Sequence, residues 1–287
     1  MKFSPTQIRE LAVDAHFPPE NFEKVLRLRE LLIEFNKHTV LNGRLVLKGG
    51  TALNLFYLNL ARLSVDIDLN YIGNIDREAT LKERPQIVTA VEQISAGLGY
   101  KLQNGVDDYA LREWYLNFTN HAGRPDRIQV EINFLMRTCA LPPQELNAAD
   151  IGDAAPCRYL VLSLEELFAG NTKAMIDRHH PRDLYDLHRF SIAGLAHDPD
   201  LLRKLAVLFG STMDHDLRTY RMARFKVLNQ KELERLLYPL LRADDRPTAE
   251  KMFICWRPSL RDRRIPVRGR APLRGAEKQP IPTTLSI

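Results

Sequence analysis

Hydrophobic residues recur along this chain with two different periods. In residues 21–35 they recur every three or four positions, which predicts an amphipathic helix that buries one face. The same spacing, together with capping residues, predicts further helices, most of them in the second half of the chain. The predicted helices cover residues 21–35, about 78–98, 198–209 and 229–242, and others begin at Thr51, Ser163 and Pro181.

Short apolar or alternating stretches predict strands in the first half of the chain. These stretches are residues 45–48, 64–72, 109–120 and 127–135. In residues 64–72 the alternation is strict, so three apolar side chains fall on one face and Ser64, Asp66 and Asp68 fall on the other. This strand is therefore expected to have an acidic face.

The order of the predicted elements indicates an α+β fold. Residues 1–145 are expected to form a short mixed sheet flanked by helices, and residues 146–256 a helical domain. The functional site is expected in the cleft between them. Residues 257–287 contain five prolines and no periodicity, so they are predicted to be mostly disordered.

Composition excludes several classes of protein. Hydrophobic residues make up 45% of the chain and charged residues 27%, as in globular proteins. No apolar run approaches the roughly 18 to 20 residues that cross a bilayer, and the polar N-terminus does not resemble a signal peptide. No membrane association and a cytoplasmic location are therefore expected. Cys139, Cys157 and Cys255 are too scattered for a disulfide framework or a zinc set.

The net charge of +5 is concentrated at one end of the chain. From Arg257 onward, seven arginines and one lysine face two acidic residues, so the rest of the chain is close to neutral. A basic tail can attract nucleic acid non-specifically. The alternative is an unstructured terminus without a dedicated role.

Asp66 and Asp68 are the strongest chemical signal. Residues two apart on a strand project side by side, so the two carboxylates can hold Mg²⁺ or Mn²⁺ against the phosphates of a nucleotide. Glu131, on a strand predicted nearby, offers a third carboxylate. Such a set is typical of two-metal phosphoryl or nucleotidyl transfer. The alternative is a solvated polar strand face.

Two weaker signals flank this pair in the sequence. Gly49 and Gly50 lie between a predicted strand and a helix, where backbone N–H groups, with the hydroxyl of Thr51, can approach a triphosphate. The spacing is not that of a Walker A loop, and a simple tight turn is the alternative. In the helical half, Lys173 could neutralise phosphates, or it could pair with Asp177 on the helix surface. Asp183 and Asp186 share one helix face. They could belong to the nucleotide site, or they could pair with arginines on the helix surface.

Taken together, these segments resemble the AbiEii/AbiGii family of nucleotidyltransferase toxins, which includes the MenT toxins, within the DNA polymerase β-like superfamily. The resemblance rests on LKGGTALNL, RLSVDIDL, the VEIN strand and the later PRDLYDL, and it spans about residues 45–187. It implies transfer of a nucleoside monophosphate from an NTP to an acceptor, for MenT-like members the 3′ end of tRNA. It also implies a toxin–antitoxin or abortive-infection system, with a cognate antitoxin encoded nearby.

The resemblance also implies roles for individual residues. Ser64, Asp66, Asp68, Lys173, Asp183 and Asp186 match the catalytic motifs, with Asp183 or Asp186 orienting Lys173 or the base. Lys48, Gly49, Gly50, Thr51, Ser64 and Lys173 would bind the nucleotide. Asp66, Asp68 and Glu131 would bind the metal, with Glu131 serving as a ligand or a base.

Three alternatives remain open at this point. The first is a transferase of the same fold that acts on a small molecule or a protein hydroxyl. The second is a non-catalytic protein that binds nucleotides or RNA. The third is a metal-dependent nuclease, which would shorten RNA rather than extend it.

Overall fold

A computed structural model describes residues 3–152, 154–195, 197–213 and 228–253 of the chain. Within these residues no helix is both long enough and apolar enough to cross a membrane. The helices are α1 (Pro5–Asp14), α2 (Pro19–Lys37), α3 (Gly49–Ala52), α4 (Arg77–Gly97), α5 (Leu164–Arg178), α6 (Pro181–Ile192), α7 (Pro199–Gly210) and α8 (Gln230–Leu236). A π-helical turn (Leu53–Tyr57) continues α3, and a 3₁₀ turn (Tyr238–Leu240) follows α8.

Seven strands form one mixed sheet in the order β3-β4-β5-β2-β1-β7-β6. The strands are β1 (Leu45–Lys48), β2 (Asp66–Tyr71), β3 (Lys101–Asp107), β4 (Leu111–Thr119), β5 (Pro125–Asn133), β6 (Gln144–Asn147) and β7 (Arg158–Val161). Strand β2 pairs with β1 in antiparallel and with β5 in parallel orientation. The centre of the sheet is thus built from segments that are far apart in the sequence.

The two faces of the central strands differ sharply. Ile67 and Leu69 of β2, Val130 of β5 and Trp114 of β4 are fully buried in the main apolar core, to which α2 contributes Phe22. Residues between them on each strand are polar and lie on the opposite face. This alternation is what the sequence predicts for residues 64–72.

A second apolar cluster lies among the helices of the C-terminal half. It joins Leu53, in the π-helical turn, to Met175 of α5, Leu184 of α6 and Leu237 near the end of α8. Helix α5 also packs against α3. The helices after residue 163 are therefore packed directly on the segment that follows β1.

The predicted class, a mixed sheet flanked by helices with a helical C-terminal part, is confirmed. All four predicted strands are present, whereas β3, β6 and β7 were not predicted. The sheet continues beyond residue 145, because β7 pairs with β1; the division of the chain into domains at that point stays a prediction. The basic tail, residues 257–287, lies outside the described residues.

The sequence pattern predicts a helix over residues 51–63, and this extent is wrong. The helical segment begins earlier, at Gly49, and ends at Tyr57. Asn59 and Leu60 then adopt positive φ angles of 47° and 55°, which a continuing helix cannot accommodate. This sharp turn carries the chain back toward the start of β2.

The predicted starts of α5 and α6 are both confirmed. The hydroxyl of Ser163 accepts a hydrogen bond from the backbone N–H of Glu166, and Pro181 begins α6. Ser163 and Glu166, three residues apart, have the sequence of a capping box, in which the Glu166 side chain would bond back to the Ser163 N–H. Its carboxylate instead accepts bonds from the N–H groups of Ala140 and Leu141. Glu166 thus fixes the loop after β5 to the start of α5.

Candidate active site

A row of charged side chains crosses the centre of the sheet on its polar face. In the strand register Lys48 of β1 lies opposite Asp68 of β2, and Asp68 lies beside Glu131 of β5. The Nζ atom of Lys48 is 3.4 Å from Oε1 of Glu131. Asp66 occupies the same face of β2, one row away. The structure therefore brings together the two aspartates, Glu131 and Lys48.

The folded protein disfavours the charged form of two carboxylates at this site. Partial burial raises the pKa of Asp66, the neighbouring Asp68 raises it further, and Arg182 opposes the rise. Burial likewise raises the pKa of Glu131, with Lys48 opposing. A cation placed between Asp66 and Asp68 would relieve this repulsion.

The glycine turn lies directly against the acidic strand. Gly49 has a φ of +72°, and a Cβ atom there would lie 2.7 Å from Oδ2 of Asp68. A Cβ atom on Gly50 would overlap the guanidinium of Arg62 and lie 3.2 Å from the Oγ atom of Ser64. Both positions therefore need glycine, because any side chain would collide with the polar groups of the site.

Thr51 links the turn to the acidic strand. Its hydroxyl donates a hydrogen bond of 2.5 Å to the backbone carbonyl of Asp66, and its side chain is buried. In this arrangement the hydroxyl positions the start of β2. The predicted contact between this hydroxyl and a phosphate would require that bond to be exchanged.

A buried ion pair lies beneath the glycine turn. Arg62 donates from Nε and Nη2 to the two carboxylate oxygens of Asp186, at 2.7 and 2.6 Å, and both side chains are at most 3% exposed. Burial opposes the charge on Arg62, but the attraction and hydrogen bonds of Asp186 outweigh it and raise the pKa of Arg62. Asn54 donates to both Asp186 and the carbonyl of Gly50. Asp186 therefore supports the turn through Arg62 and Asn54.

The three residues that precede Ser64 are all held by the C-terminal half. Besides the Arg62–Asp186 pair, the hydroxyl of Tyr185 donates to the carbonyl of Ala61 at 2.9 Å. The backbone N–H of Leu63 donates to the carbonyl of Leu240 at 2.8 Å. The approach to the acidic strand is thus anchored from two separate segments.

Lys173 and Asp183 have other partners in the structure. The Nζ atom of Lys173 is 2.7 Å from Oδ2 of Asp177 on its own helix. Asp183 accepts two hydrogen bonds from the guanidinium of Arg178, at 2.8 and 2.7 Å. The Lys173–Asp177 pair is the helix-surface pairing that the sequence left open, whereas Asp183 is buried and pairs with the last residue of α5. The nucleotide roles of Lys173 and Asp183 stay predictions.

Among the cations of α6, Arg182 lies nearest to Asp66 of β2. Its Nη1 atom is 3.7 Å from Oδ2 of Asp66. His180, two residues before Arg182, caps α6. Its ring nitrogen Nδ1 accepts a hydrogen bond from the backbone N–H of Arg182. Burial and the nearby arginines lower the pKa of His180 to about 4, so it is neutral at pH 7. His180 thus serves as an acceptor, as expected for a loop residue between two helices.

A family of known proteins matches most of the chain. Residues 30–257 match the sequence pattern of one protein family. That family is the nucleotidyl transferase AbiEii toxin of type IV toxin–antitoxin systems. The chain belongs to the AbiEii family. Membership implies an NTP substrate and a cognate antitoxin. A comparison with curated proteins gives no match.

Two solved structures share the fold of this AbiEii protein. MenT4, a nucleotidyltransferase toxin from Mycobacterium tuberculosis, is 22% identical over 90% of this chain and 88% of its own, with a TM-score of 0.64. JHP933 from Helicobacter pylori is 16% identical over 81% of this chain and 88% of its own, with a TM-score of 0.51. These likenesses support the mixed sheet flanked by helices.

The residues present in this AbiEii protein suit a Mg²⁺ ion. Mg²⁺ in nucleotide sites commonly takes one or two carboxylates together with phosphate oxygens, and Asp66 and Asp68 supply two carboxylates on one strand face. Within the described residues, no three acidic, histidine or cysteine side chains converge as a metal-binding group. Glu131 faces Lys48, so its predicted role as a metal ligand stays a prediction.

Sequence reasoning did not assign roles to Arg62, Asn54 and Arg182. Each of them contacts a partner more than 100 positions away in the sequence. The nearest signal in the sequence was the position of Arg62, two residues before the acidic strand. An arginine there, in an otherwise apolar segment, already required a buried counterion.

Proposed function

We propose that this protein transfers a nucleoside monophosphate from an NTP to the 3′ end of an RNA, with tRNA as the acceptor and Mg²⁺ or Mn²⁺ as the cofactor. The observation that carries the proposal is the contact between the glycine turn and the acidic pair. Gly49 leaves no room for a side chain beside Asp68, and Gly50 leaves none beside the guanidinium of Arg62, close to Ser64. A triphosphate can approach the backbone there while its metal ion meets the carboxylates.

Each residue has a specific part in this proposal. Asp66 and Asp68 hold the metal ion, and the turn at Gly49 and Gly50, with Ser64, binds the β- and γ-phosphates. When bound, the metal ion would offset the charge of the triphosphate and promote ionisation of the attacking hydroxyl. Lys48, whose ammonium group reaches Glu131, sits at the edge of the same site.

The C-terminal half completes the binding site in this proposal. Arg182 lies 3.7 Å from Asp66 and can turn to a phosphate once a metal ion occupies the carboxylates. Lys173, on the helix that packs against α3, would exchange Asp177 for a phosphate oxygen. Asp183 would orient Lys173 or the nucleotide base, and Asp186 would hold Arg62 in place.

The direct test is to incubate the purified protein with each labelled NTP and total cellular RNA in the presence of Mg²⁺. We expect label in the tRNA fraction, added at the 3′ end, and release of pyrophosphate. Sequencing of RNA 3′ ends after brief expression identifies the acceptor in cells. Label on protein or on a small molecule, or shortened RNA ends, would contradict the RNA acceptor.

Replacing Lys173 separates its predicted nucleotide role from its ion pair. We expect Lys173→Met to raise the KM for NTP about tenfold, because the loss of one phosphate contact by a charged donor costs about 1.5 kcal/mol. Asp177→Asn is the matched control, since it breaks the same ion pair and leaves the lysine in place. Steady-state kinetics that show equal KM values for both variants would assign Lys173 to the helix surface.

A further inference from the structure

The polar face of the sheet extends beyond Asp66 across three more strands. In the register Asp66 lies beside Gln129 of β5, Gln129 lies opposite Tyr115 of β4, and Tyr115 lies opposite Gln103 of β3. Directly paired residues share one face of a sheet. Tyr115 is therefore on the face of the acidic pair, two strands away, or about 10 Å at the usual spacing of strands.

A second row on this face carries positive charge. Arg127 of β5 lies opposite Asn117 of β4, which lies opposite Lys101 of β3. Arg127 and Lys101 are both exposed. Across the described ranges, no carboxylate lies within ion-pair distance of either side chain. The row next to Tyr115 thus offers two cations to a ligand.

The guanidinium of Arg127 lies over the ring of Tyr115, 4.5 Å from the ring centroid. A stacked arginine and tyrosine form a flat, partly exposed surface with a positive charge. Nucleobases stack both on aromatic rings and on guanidinium planes, and proteins that bind single-stranded RNA combine such surfaces with basic residues.

Tyr115 is held in place by a buried carboxylate on the same face of its own strand. The Oε1 atom of Glu113 accepts hydrogen bonds from the Tyr115 hydroxyl at 3.0 Å and from Gln129 at 2.5 Å. Its other oxygen accepts a bond from the backbone N–H of Val106 at 3.1 Å. The ring is therefore preorganised and does not have to be ordered when a ligand binds.

The position of Tyr115 relative to the glycine turn indicates which substrate it meets. In phosphoryl transfer the attacking and leaving oxygens lie roughly in line on opposite sides of the reacting phosphorus. The glycine turn, which follows β1, would hold the leaving pyrophosphate on one side of β2. The attacking hydroxyl must then approach from the side of β5 and β4, where Tyr115 and Arg127 lie.

We infer that Tyr115 and Arg127 form the binding platform for the single-stranded 3′ end of the RNA acceptor. The terminal base stacks on Tyr115 and Arg127, and the 3′ hydroxyl of its ribose reaches Asp66 and Asp68. Arg127 and Lys101 contact the phosphates that precede the terminal nucleotide. This inference rests on the proposed function and adds to it the surface that recognises the acceptor.

The test compares Tyr115→Ala, Tyr115→Phe and Arg127→Ala with the wild type. Binding of a labelled single-stranded RNA with a free 3′ hydroxyl is measured by fluorescence anisotropy, and the KM values for RNA and for NTP are measured separately. We expect Tyr115→Ala to weaken RNA binding and raise the KM for RNA tenfold or more, with the KM for NTP unchanged. Tyr115→Phe keeps the ring and should stay within about twofold of the wild type.

Arg127→Ala tests the platform without disturbing a buried side chain, because Arg127 is exposed. We expect weaker RNA binding and a salt dependence reduced by about one phosphate contact. Arg9→Ala, which removes an exposed arginine from α1, is the matched control and should behave as the wild type. Thermal melts of all variants identify any loss of folding.

The outcomes distinguish the platform from the proposed function. Wild-type affinity for RNA and an unchanged KM for RNA in both Tyr115→Ala and Arg127→Ala overturn the platform, while nucleotide transfer to RNA still stands. A wild type that binds RNA but releases no pyrophosphate contradicts the proposed function, and the binding measurements alone then decide on the platform. A wild type that transfers nucleotides but binds no RNA overturns the platform.

Discussion

Replacing Asp66 with asparagine should reduce nucleotide transfer by about a thousandfold or more. The substitution removes one of the two carboxylates that would hold the metal ion, and loss of that charge stabilisation costs several kcal/mol in the transition state. The variant should also lose toxicity when it is expressed in cells. Incorporation of labelled NTP into RNA and growth after induction are the two measurements.

The same substitution should leave the stability of the fold unchanged or slightly higher. Burial and Asp68 raise the pKa of Asp66, which means that the folded protein disfavours its negative charge. The neutral amide therefore removes a repulsion, and the melting temperature should not fall. Asp126→Asn on β5 is the matched control, because it removes a carboxylate paired with Lys24 away from the turn. Full activity in Asp66→Asn would refute the assignment of the acidic pair.

Removing the carboxylate of Asp186 should destabilise the protein by about 3 to 5 kcal/mol. Asp186→Ala leaves the guanidinium of Arg62 buried without its counterion, and breaking one partner of a buried pair has this cost. Urea unfolding measures the change in the free energy of unfolding. Asp177→Asn breaks an exposed pair within one helix and should cost no more than about 0.5 kcal/mol.

A double-mutant cycle shows whether Asp186 acts through Arg62. If the Asp186 carboxylate stabilises the protein by neutralising Arg62, the double variant Arg62→Met, Asp186→Leu should lose clearly less free energy of unfolding than the two single variants together. Strict additivity would contradict the pairing. Nucleotide transfer by the stable double variant then shows how much the pair contributes to the geometry of the glycine turn.

The acidic strand was the part of the site most accessible to prediction from the sequence. A strict alternation of apolar and polar residues specifies which side chains share a face, and Asp66 and Asp68 lie on the polar face as predicted. The expectation that Glu131 lies on a neighbouring strand is confirmed, because it pairs in register with Asp68. The direction of its carboxylate, toward Lys48, depends on the strand order and could not be inferred from local spacing.

Contacts between distant segments account for what the sequence did not reveal. Asp183 and Asp186 share a helix face, which suggested similar roles, but they bind different arginines, Arg178 and Arg62. Strand β3 was missed because most of its residues are polar and exposed, so the apolar alternation typical of a half-buried strand is weak there. Strand β7 was missed because its four residues establish no period and, unlike β1, it is not followed by a glycine turn that marks its end.

The anchoring of residues 61–63 by α6 and by the 3₁₀ turn has a consequence for synthesis of the toxin. A nascent chain that ends before Pro181 contains the whole acidic strand, yet it lacks Tyr185 and Asp186, which hold Ala61 and Arg62. We therefore expect an unfinished polypeptide, or the product of a premature stop codon, to transfer no nucleotide. Under the proposed function, we expect nucleotide transfer only from chains translated at least as far as the 3₁₀ turn, whose Leu240 carbonyl accepts the bond from Leu63.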